Sequence, residues 1–361
     1  MAEFQTRKDD YTNCRVIDVA PLTPGPGEIV VNVTKFAFTA NNITYAVAAD
    51  MIGYWQFFPP HGDDADGWGI IPVWGFAEVS QSEHSNVPVG EKLFGYFPPA
   101  GELKMTPGKV TAEAVMDGAA HRAELPPTYN RYRRVNNEAD YDSSVDAELM
   151  LLWPLYATSF CLGDALLDND WYGAEQVVVI SASSKTSIGL GYALKNIAGA
   201  PPSVGLTSSR NEAFVSGVGV FDSVHSYDAL GELDSSKPTA IVDMSGNSEL
   251  LGVLHEQLGD NMKFTVNVGL THWDQAAGND KIIAERSEFF FAPGHIEKRV
   301  AEWGPEEFAR KSSEFVKSTI EQSSEWLKLT PHQGLGGLSD IYDDVCNGRS
   351  APDEGQIIEL V

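Results

Sequence analysis

Residues 176–194 read QVVVISASSKTSIGLGYAL, and the reading of this stretch places the rest of the chain. Positions 176–181 form a β-branched apolar run of the length expected for a strand buried on both faces. Ala182, Ser183, Ser184, Lys185, Thr186 and Ser187 follow as a turn of small residues and hydroxyls with one cation, and Ile188 begins a helical pattern containing Gly189, Gly191 and Ala193. A strand that turns directly into a helix aims backbone amides and a positive dipole end at whatever lies above the turn, where an anion fits best. Ser183, Ser184, Lys185, Thr186 and Ser187 are therefore read as the pyrophosphate cradle of a dinucleotide. The G-x-G-x-x-G pattern is incomplete: Ala182 and Ser184 stand where the first two glycines would be, and only Gly189 remains to let helix and sheet approach closely. A buried strand and a helix with a serine N-cap would explain the same residues without a ligand.

The next unit adds to the ligand reading. Residues 203–206 are a second short apolar strand, and it ends in Thr207-Ser208-Ser209-Arg210. Binders of NAD usually carry an acid there for the ribose 2′-hydroxyl, whereas an arginine among small hydroxyl residues suits a 2′-phosphate. Ser208, Ser209 and Arg210 thus predict NADP(H). Beyond them, strands at 240–244 and 264–269 flank a helix at 248–258. This alternation predicts a doubly wound parallel sheet with ligands beyond the carboxyl ends of its strands. Those ends are Ser181, Thr207, Met244 and Gly269, expected side by side.

The N-terminal part has a different character. Strand patterns at 27–39, 70–78, 92–96 and 121–125, closely spaced with turns between them, predict an antiparallel barrel. Residues 136–144 are a polar loop, and 148–167 are mostly apolar at helical spacing, interrupted at Pro154. At the other end, 305–329 form an amphipathic pattern, followed by a turn at 334–337, a short helix near 342–346 and a strand at 356–360.

A chain of 361 residues is long enough for two domains. Fifty-one acidic against 25 basic residues give a net charge of −26, which repels phosphates over most of the surface and argues against a nucleic-acid partner. An NADP(H) site must then make its own positive field, from Lys185 and Arg210. The apolar runs are strand-length and residues 1–11 lack a secretory apolar core, so a soluble cytoplasmic protein without a membrane partner is expected. Cys14, Cys161 and Cys346 are too few for a four-cysteine zinc site and odd in number, suggesting no disulfide framework.

A barrel-like first part, a dinucleotide fold and a closing strand together resemble the medium-chain dehydrogenase/reductase superfamily. GEIVV at 27–31 is similar to its opening strand, VGEKLFG at 89–95 to its G-D-x-V-x-G turn, and 347–358 to its closing segment. Within the superfamily, ASSKTSIGLGYAL, TSSRNEAF and FFFAPGHIEKRVAEWG most resemble the DUF2855 family. The resemblance implies an α/β protein with a discontinuous GroES-like β-barrel catalytic domain, residues 1–144 and 303–361, and a Rossmann NADP(H)-binding domain, residues 145–302. Zinc enzymes of the superfamily place a Cys after the opening strand and a Gly-His-Glu further on; here those stretches read FTANN at 38–42 and WGFAE at 74–78, so no metal is expected. The acidic run 61–66, HGDDAD, could bind a cation, but a solvated loop explains it more simply.

Without zinc, the resemblance implies quinone-oxidoreductase or enoyl-reductase chemistry, with NADPH reducing an activated C=C or a carbonyl. Asn42 stands where zinc-free relatives carry an asparagine facing the nicotinamide, or else belongs to a turn beside Asn41. Tyr54 resembles the position of a tyrosine proton donor, with Tyr45 as the nearby alternative, or else lines an apolar wall with Trp55, Phe57 and Phe58. Thr158 is similar to a helix threonine near the nicotinamide phosphate, and a backbone amide of Val268 or Gly269 is expected to meet the carboxamide. The aromatic stretch 54–58 predicts a fairly apolar small-molecule substrate. The other class of reading is a catalytically silent NADPH-binding sensor or partner-binding protein on the same fold. A homodimer is expected, through a sheet edge at 264–269 or 287–292.

Overall fold

Val177, Val178, Val179 and Ile180 are wholly shielded from solvent, and each contributes on the order of 2 kcal/mol of apolar burial. The strand that carries them, Gln176–Ile180, lies inside a six-stranded parallel sheet. Across the sheet the strands run Ser223–Ser226, Ser203–Thr207, Gln176–Ile180, Thr239–Asp243, Met262–Asn267 and Ser287–Phe289. Numbered along the chain this is 3-2-1-4-5-6, the order of a Rossmann doubly wound sheet, with the direction of winding reversing between Gln176–Ile180 and Thr239–Asp243. One face packs Val177, Val179 and Val242 with Leu162, Ile188 and Leu190. The opposite face packs Val178, Ile180, Leu206 and Ile241 with Leu251, Leu254 and Leu258. Alternation along each strand therefore feeds two cores, as a sheet covered on both faces requires.

The structure is a computed structural model that describes residues 1–268 and 280–360, and the expected contribution of Gly269 lies outside those residues. The chain divides into two compact units, Met1–Leu151 with Leu327–Val361, and Leu152–Trp326. The divisions at 151/152 and 326/327 differ from the expected 144/145 and 302/303. Helices Ala292–Trp303 and Pro305–Ser323 lie with the second unit because their side chains find partners there. Phe160 packs against Phe308 and Phe315 at 6.0 and 5.8 Å, and Asp164 holds both His295 and Arg299 at 2.6 Å.

The first unit is a GroES-like assembly, antiparallel except where Lys328–Gln333 runs parallel to Glu354–Glu359. Its larger sheet runs Lys328–Gln333, Glu354–Glu359, Ile29–Phe38, Val73–Ser82, Lys92–Phe97, Arg131–Arg134, Ala114–Asp117 and Pro107–Val110, with Glu102–Met105 added beside Ile29–Phe38. The closing strand Glu354–Glu359 pairs antiparallel with Ile29–Phe38, Ile357 opposite Ala37, so the two ends of the chain share one sheet. A smaller sheet joins Cys14–Asp18, Ala2–Arg7 and Trp68–Gly69.

Three local expectations fail for physical reasons. The segment at 121–125 follows a short helical turn, Ala120–Arg122, rather than a strand; its N–H groups are spent on local bonds, Arg122 to the Ala119 carbonyl at 3.1 Å and Leu125 to the Arg122 carbonyl at 3.2 Å, while the Arg122 side chain is buried against Asp117. The glycines at 334–337 open a continuous helix, Gly334–Cys346, because Leu335, Leu338, Tyr342 and Val345 share one buried face. Strand Met262–Asn267 is interior to its sheet, so of the two expected dimer edges only Ser287–Phe289 stands at an edge. The apolar helical pattern at 148–167 is present as helix Asp146–Asp168, which continues through Pro154; with its preceding turn it is long and apolar enough to cross a membrane, and 56% of its most apolar window is buried inside the fold.

Candidate functional site

The carboxyl edge of the parallel sheet is built by register. Ile180 lies opposite both Leu206 and Asp243, and Asp243 opposite Asn267, so the ends of four strands sit side by side. Ser181 follows the central strand in the left-handed region, φ 64°, a conformation costly for a residue other than glycine. Its N–H donates to the Tyr227 hydroxyl at 3.1 Å. Ser184 caps helix Lys185–Asn196: its side chain accepts from the Ser187 N–H at 3.2 Å, and its hydroxyl donates to Ser187 Oγ at 2.8 Å. Those two hydroxyls are thus committed to the cap, and the helix end offers its backbone instead. Ser159 Oγ, which sequence reading missed, reaches the Thr186 carbonyl at 2.7 Å and steadies the turn.

The cradle and the segment after the second strand are joined. Asn211 Nδ2 donates to Ser183 Oγ at 3.0 Å, and Asn211 follows Arg210 in the exposed turn Ser209–Asn211. Ser208 caps that turn without a side-chain bond. Ser209, expected at a 2′-phosphate, instead donates its hydroxyl to Asp228 at 2.5 Å, which brings a carboxylate beside Arg210. Two further expected groups are engaged within the fold. The Val268 N–H, expected to meet a carboxamide, is donated to the Asp243 carbonyl at 2.8 Å. Thr158 Oγ1 donates back to the Pro154 carbonyl at 3.0 Å, the bond of an ordinary helix hydroxyl. Gly189 also serves a different approach, since a Cβ there would lie 2.5 Å from Ser159 Oγ and Tyr156 Cδ1, on a neighbouring helix rather than on the sheet.

Asp243 is a residue that sequence reading passed over. It is buried, which pushes its carboxyl above the usual range against the pull of Ser245, whose N–H and hydroxyl reach one carboxylate oxygen at 2.8 and 2.7 Å. Its signal was present as the last residue of the strand beside the reversal in winding.

In the first unit the structure brings Tyr45 and Tyr54 together, with ring centroids 4.8 Å apart, and surrounds them with Phe57, Trp74, Tyr96 and Tyr129. The Tyr45 hydroxyl accepts from Asn41 Nδ2 at 2.9 Å and from Trp74 Nε1 at 3.2 Å. Burial nevertheless pushes its pKa up to about 12. A phenol that accepts two N–H groups still has its own proton to donate. Tyr54 meets the Tyr129 hydroxyl at 2.8 Å, and burial, with Tyr45 beside it, raises it further. Both phenols therefore hold their protons at neutral pH. Tyr129 followed no motif that could have marked it.

Asn42 is diverted to structure. Its Oδ1 accepts the Thr39 N–H at 2.8 Å in a capping box on helix Ala40–Val47, and its Nδ2 donates to the Pro72 carbonyl at 2.9 Å. The acidic loop 61–66 is likewise tied down, His61 to Glu3 and Asp64 to Arg15, both at 2.6 Å. Among the described residues no group of His, Cys, Asp or Glu side chains is arranged to hold a metal ion.

A doubly wound sheet of this order in one unit and a GroES-like, largely antiparallel assembly in the other define a protein with the medium-chain dehydrogenase/reductase fold. The chain belongs to the DUF2855 family, whose model, described as a protein of unknown function, matches residues 36–351. Solved structures share the fold over the full length at low identity. CurA from Vibrio vulnificus, in complex with NADPH, is 12% identical with a TM-score of 0.65, covering 100% of this chain and 99% of its own. The quinone oxidoreductase from Coxiella burnetii is also 12% identical, at 0.57 with the same coverage. The CurK enoyl reductase has the same identity and coverage at 0.54. No curated protein matches the sequence.

Proposed function

We propose that the chain is an NADPH-dependent reductase that acts without zinc on an activated C=C or carbonyl of a fairly apolar small molecule. The observation that carries this reading is the 3-2-1-4-5-6 strand order with a serine-capped helix leaving its central strand, because a helix end at that crevice is where a dinucleotide pyrophosphate binds. The backbone of Ser183, Ser184, Lys185, Thr186 and Ser187 would hold the pyrophosphate, and Ser208 and Arg210 the 2′-phosphate, with Ser209 freed only if it releases Asp228. Several solved proteins of this fold, CurA among them, were crystallised with NADPH or NADP. When bound, the dinucleotide supplies a hydride. The chain's own part is to stabilise charge developing on the substrate oxygen and to deliver a proton. Tyr45 is the stronger candidate donor, since its hydroxyl proton is not needed by the two groups it accepts from, and Tyr54 is the alternate. Asn42 acts by fixing the helix that carries Tyr45.

The commitment of Asn42 to its cap favours a second reading, an NADPH-binding sensor or partner-binding protein that has lost turnover. Calorimetric titration with NADPH and NADH, on wild type and on Arg210→Ala, tests what both readings share: preference for NADPH should collapse in the variant. Oxidation of NADPH with a panel of enones, quinones and aldehydes then separates them, and failure to bind either nucleotide would sink both. A homodimer through the Ser287–Phe289 edge would show as twice the monomer mass in sedimentation.

A further inference from the structure

Buried side-chain polar atoms almost always find a partner, and an orphan asks for an explanation. In the second unit, among the described residues, only two such atoms have none: Thr207 Oγ1 and Asn267 Nδ2. Both side chains are at least 97% shielded, and each is the last residue of a parallel strand. Strands Ser203–Thr207 and Met262–Asn267 are separated by Gln176–Ile180 and Thr239–Asp243. At about 4.8 Å per step, the two orphans stand roughly 14 Å apart along the edge where ligands of such sheets bind. A ligand that answers both is extended along that edge.

Among the described residues, the neighbourhood of Asn267 does not supply its partner. The Asp243 carboxylate, in register beside it, is turned to the Ser245 N–H and hydroxyl, and the Val268 N–H is donated to the Asp243 carbonyl. The backbone donor expected at this place is therefore used inside the sheet, and the buried side-chain N–H group is what remains. Thr207 leads directly into Ser208 and Arg210, the nucleotide-phosphate end of the proposed site, so Asn267 lies across the reversal in winding, at the other end of the ligand. A donor there needs an acceptor.

We propose that Asn267 Nδ2 binds the carboxamide oxygen of the nicotinamide ring and fixes how that ring is turned. The inference rests on the dinucleotide reading above. It is tested on the full chain by calorimetry with two probes, NADPH and 2′-phospho-ADP-ribose, which lacks the nicotinamide. Asn267→Ala should weaken NADPH about tenfold, as expected for a lost buried hydrogen bond, and leave 2′-phospho-ADP-ribose within about twofold. Asn267→Asp keeps the shape, replaces the donor by an acceptor and should weaken NADPH at least as much. Unchanged affinity of both variants for the nicotinamide-free probe shows that the fold is intact. If wild type binds both probes and the variants bind NADPH equally well, or lose both probes alike, the assignment is wrong while the dinucleotide reading stands. If wild type binds neither probe, that reading falls and the assignment falls with it.

Discussion

Acidification should destabilise this protein through one imidazole. His255, on helix Ser248–Leu258, is 1% exposed. The Ile283 N–H donates to its Nδ1 at 3.0 Å, so the ring proton sits on Nε2 and is donated to Thr265 Oγ1 at 2.9 Å. A second proton would have to enter at Nδ1, facing another donor, and burial alone already lowers the pKa from 6.5 to about 4. The unfolded chain binds that proton below pH 6.5 and the folded chain does not until about pH 4, so stability rises with pH across this window and is lost as pH falls through it. At about 1.4 kcal/mol per pKa unit the full loss is about 3 kcal/mol, a large share of an ordinary folding free energy. The direct assay is an NMR titration of the eight histidines, with His255 identified by its absence from His255→Gln. Its midpoint should fall near 4, and urea midpoints of wild type should drop faster than those of the variant between pH 6.5 and 5. A His255 midpoint at or above 6, or parallel stability profiles, would refute the reasoning.

Gly189→Ala should cost about 1–3 kcal/mol in thermal unfolding, because its methyl would overlap Ser159 Oγ and Tyr156. Arg122→Met should cost about 3–5 kcal/mol in denaturant unfolding, since it leaves the fully buried Asp117 carboxylate without its cation. The His61–Glu3 pair predicts a stability maximum. The hydrogen bond from Glu3 raises the His61 pKa, so its contribution is complete below 6.5 and fades as pH rises through the raised value. Burial opposes ionisation of Glu3, but hydrogen bonds from His61 and Gln5 outweigh it and lower the pKa, so that contribution is complete above 4.5 and fades on acidification. Unfolding midpoints of Glu3→Gln measured against pH should therefore lack the excess stability of wild type between 4.5 and 6.5.

The parallel sheet was legible because its strands are continuous β-branched runs separated by helical periods, and both signals survive in a single sequence. The residues that hold it were less so. Nothing at Ser159 sets it apart from any serine on a helix, and the position of Asp243 at the end of its strand gains meaning only once register brings it to the turn. The same limit explains Val268 and Ser209: sequence order placed them at the right edge, but hydrogen bonds to Asp243 and Asp228 decide what they can offer a ligand. In the first unit the aromatic stretch 54–58 was visible, whereas Tyr96 and Tyr129, which complete the cluster around Tyr54, arrive from distant strands and turns. The failed strand at 121–125 shows a specific competition, strand pattern against the local hydrogen bonds of a turn.

One of the three stretches that resemble the family, FFFAPGHIEKRVAEWG at 289–304, is engaged in packing. Phe290 joins the core of the sheet, His295 and Arg299 grip Asp164, and Arg299 also reaches Asp168 at 2.9 Å. Trp303 lies under the Arg299 and Lys311 cations at 4.8 and 4.0 Å. His295 and Arg299 hold helix Ala292–Trp303 to helix Asp146–Asp168, whereas Phe290 packs on the sheet and its N–H donates to the Asn267 carbonyl at 2.8 Å. The chemistry must be sought in the polar groups that assembly leaves unsatisfied or free to donate, which among the described residues include Asn267, Thr207 and the Tyr45 and Tyr96 hydroxyls.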